Sequence, residues 1–174
     1  MTRVVVGTGE CKISVDPNAA LVTYALGSCI ALAVHDPATK ASGLLHFMLP
    51  DSQSVKAKSE QWPYLCADTG IPLMLRKVAE KGGNLRRLLV WAVGGAQVMS
   101  AVDGFEIGKR NYVALRNVLR DAGITLNAEM VGGNLSRNVG LEIGPGRLWV
   151  RCAGEAEPRT LEPKGVVQAC HFVS

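Results

Sequence analysis

Two apolar runs separated by a polar turn decide the fold of this chain: CIALAV at residues 29–34 and LLHFML at residues 44–49. Short apolar runs that end at turn signals are typical of buried strands. The first run ends at His35-Asp36-Pro37 and the second ends at Pro50, and proline interrupts regular secondary structure. The two runs therefore predict adjacent strands that form a hairpin.

Further strand candidates lie on both sides of this hairpin. They are short and apolar, and they are bounded by glycine, proline or polar turn residues. The candidates before the hairpin are residues 4–6, 11–15 and 21–26, and those after it are residues 88–93, 124–131, 138–143 and 148–152. We expect the turn Gly144-Pro145-Gly146 to join the last two.

Two helices are predicted from apolar residues at helical spacing. The first covers residues 70–81, and the second contains residues 112–119 and ends at Gly123. Residues 51–61 are polar and predict a surface loop. About eight strand segments against two helices do not alternate as β-α-β units do. The predicted fold class is therefore α+β with a mixed sheet, rather than a doubly wound fold.

The length and composition exclude several classes of protein. With 174 residues, of which 48% are hydrophobic, the chain is expected to form a single domain over residues 1–174 with a sizeable core. The longest apolar stretches are far shorter than the ~20 residues of a membrane-spanning helix, and the N-terminus lacks a signal-peptide core. We therefore expect a cytoplasmic protein that is not inserted in a membrane. The net charge of +4 is small and mostly dispersed, which argues against nucleic-acid binding.

The sequence indicates no metal or organic cofactor. Its five cysteines are an odd number and include no Cys-x-x-Cys pair, so neither a disulfide framework nor a zinc site is indicated. Gly7-Thr8-Gly9 resembles the start of a dinucleotide-binding loop, but Lys12 stands where the third glycine belongs. We expect no nucleotide site.

Cys29 is a candidate nucleophile because it directly follows the tight turn Gly27-Ser28. Backbone N–H groups in such a turn can point at an anion, so we expect a thiolate there to be stabilised and exposed. The alternative is a core cysteine at the start of an apolar strand. The other cysteines, including Cys170 near the C-terminus, have no comparable setting.

His46 is a candidate base because it lies inside an apolar run, where an imidazole needs polar partners. A structural histidine and a base paired to a neighbouring thiol both explain this position. Thr23, on the preceding strand candidate, can offer its hydroxyl or its carbonyl oxygen to orient the ring. His35 is expected to be an exposed turn residue, and His171 lies in the C-terminal tail.

Several motifs in register resemble the CheD family of bacterial chemoreceptor glutamine deamidases. These motifs are TYALGSC at 23–29, HDP at 35–37, GLLHFMLP at 43–50, ADTGIPL at 67–73, VGGA at 93–96, IGKRN at 107–111 and GGNLSR at 132–137. The resemblance covers residues 11–152, so residues 153–174 are interpreted as a C-terminal extension. Several ordered motifs are far more specific than any one of them alone.

The resemblance implies a cysteine-hydrolase site with Cys29 as nucleophile, His46 as base and Thr23 as the residue that orients His46. For such a reaction we expect backbone N–H groups around Gly27, Ser28 and Cys29 to hold the oxyanion, and we expect no cofactor to be required. The implied fold is a mixed β-sandwich flanked by helices, similar to the deamidating domain of cytotoxic necrotizing factor. The implied partners are the cytoplasmic helices of chemoreceptors and a CheC-type phosphatase.

Two other functions stay open at this point. A cysteine protease uses a similar Cys-His pair, and a non-catalytic adaptor could bind receptor or phosphatase helices with the same surface. Lys109, Arg110 and Asn111 are candidates for receptor contacts, with a structural role as the alternative.

Overall fold

The computed structural model describes residues 1–55, 60–97 and 106–163. Strands β1 to β5 are Thr2–Val5, Glu10–Ser14, Ala19–Leu26, Ile30–His35 and Ser42–Phe47. Strands β6 to β10 are Leu89–Gly94, Ala128–Val131, Arg137–Glu142, Arg147–Cys152 and Arg159–Thr160. Helix α1 is Ala67–Glu80 and helix α2 is Ile107–Asp121, and short 3-10 turns lie at Gln53–Val55 and Leu85–Arg87.

The strands form two five-stranded sheets, with the orders β1-β3-β8-β9-β10 and β2-β5-β4-β6-β7. Each sheet is mixed, because β1 pairs in parallel with β3, β6 pairs in parallel with β7, and the other pairs are antiparallel. The α+β prediction is confirmed. The predicted hairpin is confirmed as well, since β4 and β5 are antiparallel neighbours with Ala31 opposite His46.

The two sheets pack face to face over a shared apolar core. Alternate residues of a strand point to opposite faces, so the strands that line the gap place every second residue in this core. Its members include Leu21, Leu141 and Val150 from the first sheet and Leu44, Val93 and Met130 from the second.

Both helices pack on the outer face of the second sheet and form a second core there. The contributing residues include Ile71, Met74 and Val78 of α1, Leu115 and Leu119 of α2, and Leu32, Leu45 and Phe47 of the sheet. Strands β4 and β5 are therefore covered on both faces, which explains their unbroken apolar sequence. The described helices lie on one side of the paired sheets.

Helix α1 begins three residues before its predicted start, at Ala67 rather than Gly70. Cys66 is extended and pairs with Leu49 in an isolated bridge, and the helix starts directly after that bridge. Pro72 lies inside the helix without breaking it. Proline has no N–H, so one helical hydrogen bond is lost there.

The predicted strand over residues 124–131 is wrong in its first half, because β7 begins only at Ala128. Gly123 has a φ of 67°, and the N–H of Ile124 donates back to the carbonyl of Leu119 in α2. This C-terminal helix cap occupies the residues that the apolar pattern assigned to a strand.

The prediction that His35 is an exposed turn residue is also wrong. His35 is the last residue of β4 and is only 1% exposed. Its Nδ1 lies 2.8 Å from the hydroxyl of Ser42, which donates to the carbonyl of Lys40. The β8–β9 turn covers the ring, because a Cβ at Gly146 would lie 2.5 Å from Nε2 of His35. His35 is a structural histidine.

Part of the predicted C-terminal extension packs on the sheets. Strand β10 pairs with β9, and Leu161 is buried and accepts a hydrogen bond from the indole of Trp91 at 2.9 Å. Residues 164–174, with Cys170 and His171, lie outside the described residues, as do residues 56–59 of the predicted surface loop. Among the helices described, none is long and apolar enough to span a membrane.

Candidate active site

Thr23 and His46 face each other across the gap between the two sheets. Thr23 lies on β3 two residues after Leu21, and His46 lies on β5 two residues after Leu44. Leu21 and Leu44 belong to the core between the sheets, so the period-2 alternation directs Thr23 and His46 into the same layer. Both side chains are buried, with 0% and 3% exposure.

A chain of two hydrogen bonds fixes the protonation pattern of His46. The Thr23 hydroxyl donates to the carbonyl of Val6 at 2.8 Å, and its oxygen lies 2.9 Å from Nδ1 of His46. A hydroxyl has one proton, so Thr23 can only accept from the imidazole. Nδ1 of His46 therefore carries the proton, and Nε2 carries the lone pair.

Cys29 lies on the same face of the second sheet as His46. Ala31 is directly opposite His46, and Cys29 precedes Ala31 by two residues. The two residues are thus diagonal neighbours, a relationship in which side chains of this length come within reach at a Cα separation of ~7–8 Å. Cys29 is half-buried and packs against the core between the sheets.

A bulge in β3 lies between Thr23 and the Cys29 loop, which is formed by residues 27–29. The pairing of β3 with β8 shifts register between Thr23 and Leu26. Ala25, inside the bulge, has a φ of 56°, and its N–H donates to the side chain of Asn138 at 3.0 Å. This left-handed conformation is unfavourable for alanine, so the surrounding contacts hold the bulge in place.

The residues after β6 hold the backbone of the Cys29 loop from one side. The carbonyl of Gly27 accepts from the N–H of Ala96, and the carbonyl of Cys29 accepts from the N–H of Gly95, both at 2.8 Å. Gly94 has a φ of 123°, and a Cβ there would overlap the carbonyl oxygen of Cys29. Only glycine allows this close approach.

Burial shifts the acid-base properties of both reactive side chains. It lowers the pKa of His46 from 6.5 to about 4, so the imidazole is neutral at pH 7. It raises the pKa of the Cys29 thiol, and the smaller effect of the residue's own N–H opposes this rise. Both shifts argue against the expected stabilised thiolate in the unliganded protein, and Cys29 is half-buried rather than exposed.

The segment between β1 and β2 adds groups to the site that the sequence did not indicate. Val6 supplies the carbonyl for Thr23, and the N–H of Gly9 donates to the carbonyl of His46 at 2.7 Å. The hydroxyl of the exposed residue Thr8 lies 3.5 Å from Nε2 of His46. The Gly7-Thr8-Gly9 sequence carries no local signal of this contact, because the contact depends on pairing between distant strands.

Asn111 is not a surface residue, although the sequence suggested it together with Lys109 and Arg110 as a receptor contact. It is 0% exposed, and its Nδ2 donates to the carbonyl of Ser28 at 3.0 Å and to the carbonyl of Met48 at 2.8 Å. The receptor-contact interpretation of Asn111 is therefore wrong. Lys109 is exposed and lies 3.0 Å from Glu106.

The remaining described cysteines lie in settings that differ from that of Cys29. Cys66 and Cys152 are buried, whereas Cys11 is half-buried. Burial raises the pKa of Cys11 to about 12 and that of Cys66 to about 11. Within residues 1–55, 60–97 and 106–163, no group of three or more His, Cys, Asp or Glu side chains is arranged to hold a metal ion.

Comparison with known proteins identifies the family of this chain. The family model described as CheD chemotactic sensory transduction matches residues 48–152, which is more than half of the chain. This match begins after His46, so it does not include Thr23, Cys29 or His46. Whole-chain relatives extend the comparison toward the N-terminus.

These relatives carry one activity in their names. The "Probable chemoreceptor glutamine deamidase CheD" of Solibacter usitatus (strain Ellin6076) is 49% identical over 155 residues, which are 89% of this chain and 92% of the relative. The protein of the same name from Syntrophotalea carbinolica is 40% identical over 90% of this chain and 98% of the relative. The "Chemoreceptor glutamine deamidase CheD" of Thermotoga maritima is 37% identical over 88% of this chain and 94% of the relative. This chain belongs to the CheD family, and the resemblance inferred from its motifs is confirmed.

Proposed function

We propose that this chain is a chemoreceptor glutamine deamidase, which hydrolyses glutamine side chains of receptors to glutamate and releases ammonia. The names of relatives that are 37% to 49% identical over most of their length support this activity. One structural observation carries the chemistry: the Thr23 hydroxyl donates to Val6 and accepts from Nδ1 of His46, which leaves a buried neutral imidazole with Nε2 as its basic nitrogen.

In this proposal Cys29 is the nucleophile and His46 is the general base. Nε2 of His46 takes the proton from the Cys29 thiol while the sulfur attacks the carbon of the substrate carboxamide. The C=O bond becomes a single bond to an oxyanion. Because burial raises the pKa of the Cys29 thiol, we place the proton transfer together with the attack.

The tetrahedral intermediate then collapses to a thioester. The C–N bond breaks, and the leaving nitrogen takes the proton from His46 and departs as ammonia. A water molecule next gives a proton to Nε2 and attacks the thioester carbon. Sulfur leaves, recovers the proton from His46, and the product is a glutamate side chain.

We assign oxyanion stabilisation to the backbone around Gly27 and Ser28. The carbonyls of residues 27 to 29 all accept hydrogen bonds, two from the backbone that follows β6 and one from the side chain of Asn111 on α2. Among the described residues, none except Cys29 itself accepts a hydrogen bond from the N–H of Ser28 or of Cys29. Such preorganised donors stabilise the charge that develops on the substrate oxygen. Neither a metal nor an organic cofactor takes part in this scheme.

We expect the partners to be the cytoplasmic helices of chemoreceptors and a CheC-type phosphatase, and we expect the protein itself to be cytoplasmic. Tyr24 directly follows Thr23 in β3 and is 42% exposed, and Met48 directly follows Phe47, the partner of Ile30, and is 37% exposed. Exposed apolar side chains around a polar centre suit an amphipathic helix. We also infer that the paired sheets share the fold of the deamidating domain of cytotoxic necrotizing factor and form one domain.

Mass spectrometry of a receptor fragment tests the proposed activity. The cytoplasmic part of a chemoreceptor from the same organism is co-expressed with the wild-type protein, with Cys29→Ala, or alone. Conversion of glutamine to glutamate with the wild type only is expected. A receptor that binds without any conversion would establish the adaptor alternative, and a cut polypeptide chain would establish the protease alternative.

A further inference from the structure

We propose that Asn111 is a positioning residue for the reaction, which directs the N–H of Cys29 toward the oxyanion. The inference rests on the proposed function and names a residue that its Cys-His-Thr scheme does not use. Asn111 lies on α2, is 0% exposed, and donates from Nδ2 to the carbonyls of Ser28 and Met48. No other described side chain donates to the carbonyl of Ser28.

The contact with Ser28 acts on Cys29 because the peptide group is planar and trans. In a trans peptide the C=O of one residue and the N–H of the next point in opposite directions. The carbonyl of Ser28 and the N–H of Cys29 belong to the same peptide group. Since Asn111 holds that carbonyl toward α2, the N–H of Cys29 points away from the helix.

The neighbouring peptide groups are held by backbone rather than by side chains. Ala96 holds the carbonyl of Gly27 and Gly95 holds that of Cys29. The peptide group between Ser28 and Cys29 is therefore the one whose orientation depends on a side chain, and a side chain can be replaced by mutation. This makes Asn111 the point at which a substitution can loosen one oxyanion donor while its neighbours stay in place.

The second hydrogen bond of Asn111 links the nucleophile loop to the strand of the base. Met48 lies two residues after His46, and its carbonyl is 2.8 Å from Nδ2 of Asn111. The two protons of one amide group thus hold the ends of β4 and β5 together beside Cys29 and His46. A neutral amide with two donors fits this task, because neither a hydroxyl nor a carboxylate offers two N–H protons in one plane.

An asparagine at this buried position lowers the stability of the fold unless its hydrogen bonds compensate. The side chain is fully buried, and among the described residues its Oδ1 has no hydrogen-bond partner. An unpaired buried acceptor costs free energy that a leucine of similar size would avoid. The two hydrogen bonds from Nδ2 to the carbonyls of Ser28 and Met48 explain why an asparagine occupies this position.

The test compares Asn111→Leu with a matched control, Asn117→Leu, which makes the same change at an exposed position of the same helix. The probe is a short peptide in which an aldehyde replaces the carboxamide of glutamine. The Cys29 sulfur bonds to the aldehyde carbon and the thiol proton moves to its oxygen, so a hemithioacetal forms whose oxygen occupies the oxyanion position. Alkylation of Cys29 by iodoacetamide, which builds no oxyanion, is measured in parallel.

We expect Asn111→Leu to weaken aldehyde binding and to lower kcat for deamidation, each by roughly 10- to 100-fold, a range typical of lost supporting contacts. Its KM and its Cys29 alkylation rate should stay within about threefold of the wild type. Asn117→Leu should match the wild type in all four measurements. The split between aldehyde binding and alkylation is a result that general loosening of the fold would not give.

Two results would overturn the inference. One is wild-type aldehyde affinity in Asn111→Leu, and the other is a parallel loss of aldehyde binding and alkylation, which would make Asn111 purely structural. If Asn111→Leu does not fold, the same measurements are made on Asn111→Ser and judged by the same criteria. If neither variant folds, Asn111 has a structural role and the inference is overturned. Aldehyde binding does not require turnover, so failure of the proposed deamidation is recognised separately, by wild-type protein that releases no ammonia.

Discussion

Thr23 accepts a hydrogen bond from Nδ1 of His46 across the gap between the two sheets, at 2.9 Å. The acceptor is the threonine hydroxyl and not its backbone carbonyl, a choice that the sequence left open. The same hydroxyl donates to Val6, which makes the direction of the bond to His46 unambiguous. The geometry therefore sets one tautomer of the imidazole before any substrate binds.

Replacement of Thr23 tests this relationship. Thr23→Val keeps the shape of the side chain but removes the acceptor, so kcat for deamidation should fall by roughly 10- to 100-fold. Thr23→Ser keeps the hydroxyl and should retain most of the activity. Steady-state ammonia release by the two variants is the measurement. Equal activity of Thr23→Val and the wild type would remove the hydroxyl from the site while leaving the Cys29-His46 pair in place.

The alkylation order of the cysteines tests the setting of Cys29. Cys29 is half-buried beside a neutral base, whereas Cys66 and Cys152 are buried and burial raises the pKa of Cys11 to about 12. We expect iodoacetamide to modify Cys29 first at neutral pH, because the reaction requires access and a thiolate. Peptide mapping of a Cys170→Ser variant at successive times measures the order in which the other four cysteines are alkylated. Earlier labelling of Cys11 or Cys66 would show that another thiol is the reactive one.

The pH dependence of kcat/KM tests the protonation state of His46. The base must be neutral to accept a proton, and burial lowers its pKa from 6.5 to about 4. Activity should therefore persist as the pH falls through 6.5 and decline only near pH 4. Because burial also raises the pKa of Cys29, the alkylation rate of Cys29 should keep rising with pH through neutrality. A plateau of the alkylation rate between pH 5 and pH 8 would indicate a preformed thiolate-imidazolium pair instead.

Lys109, like its neighbour Arg110, is a remaining candidate for a receptor contact and is exposed. It forms a surface ion pair with Glu106, which contributes little to stability. Lys109→Ala should therefore leave the melting temperature nearly unchanged and raise KM for a receptor fragment more than it lowers kcat. Glu106→Ala is the matched control for the loss of the ion pair. An unchanged KM in Lys109→Ala would exclude this side chain from receptor recognition.

The sequence predicted those features of the fold that depend on local patterns. The runs at residues 29–34 and 44–49 correctly indicated the β4–β5 hairpin, because both strands are covered on two faces and keep an unbroken apolar sequence. It failed where a distant contact decides the outcome. His35 looks exposed beside Asp36-Pro37, but the β8–β9 turn, more than 100 positions along the chain, covers its ring.

The same distinction applies to the candidate site. His46 stands out as a polar residue in an apolar run, and Thr23 and Cys29 belong to one motif, so all three could be singled out from sequence. Asn111 could be singled out only as a polar residue in a helix, since its contacts with Ser28 and Met48 span 83 and 63 positions of the chain. Thr8 and Val6 offered no signal, because a backbone carbonyl and an exposed threonine are ordinary features of a strand end.

The most direct test of the central claim is ammonia release from a purified receptor fragment by a series of single cysteine variants. Cys29→Ala should fold like the wild type and lose at least about 1,000-fold in rate, because the nucleophile is gone. Cys11→Ala, Cys66→Ala and Cys152→Ala should stay within about tenfold of the wild type once they are folded. Wild-type ammonia release by a folded Cys29→Ala protein would contradict the account.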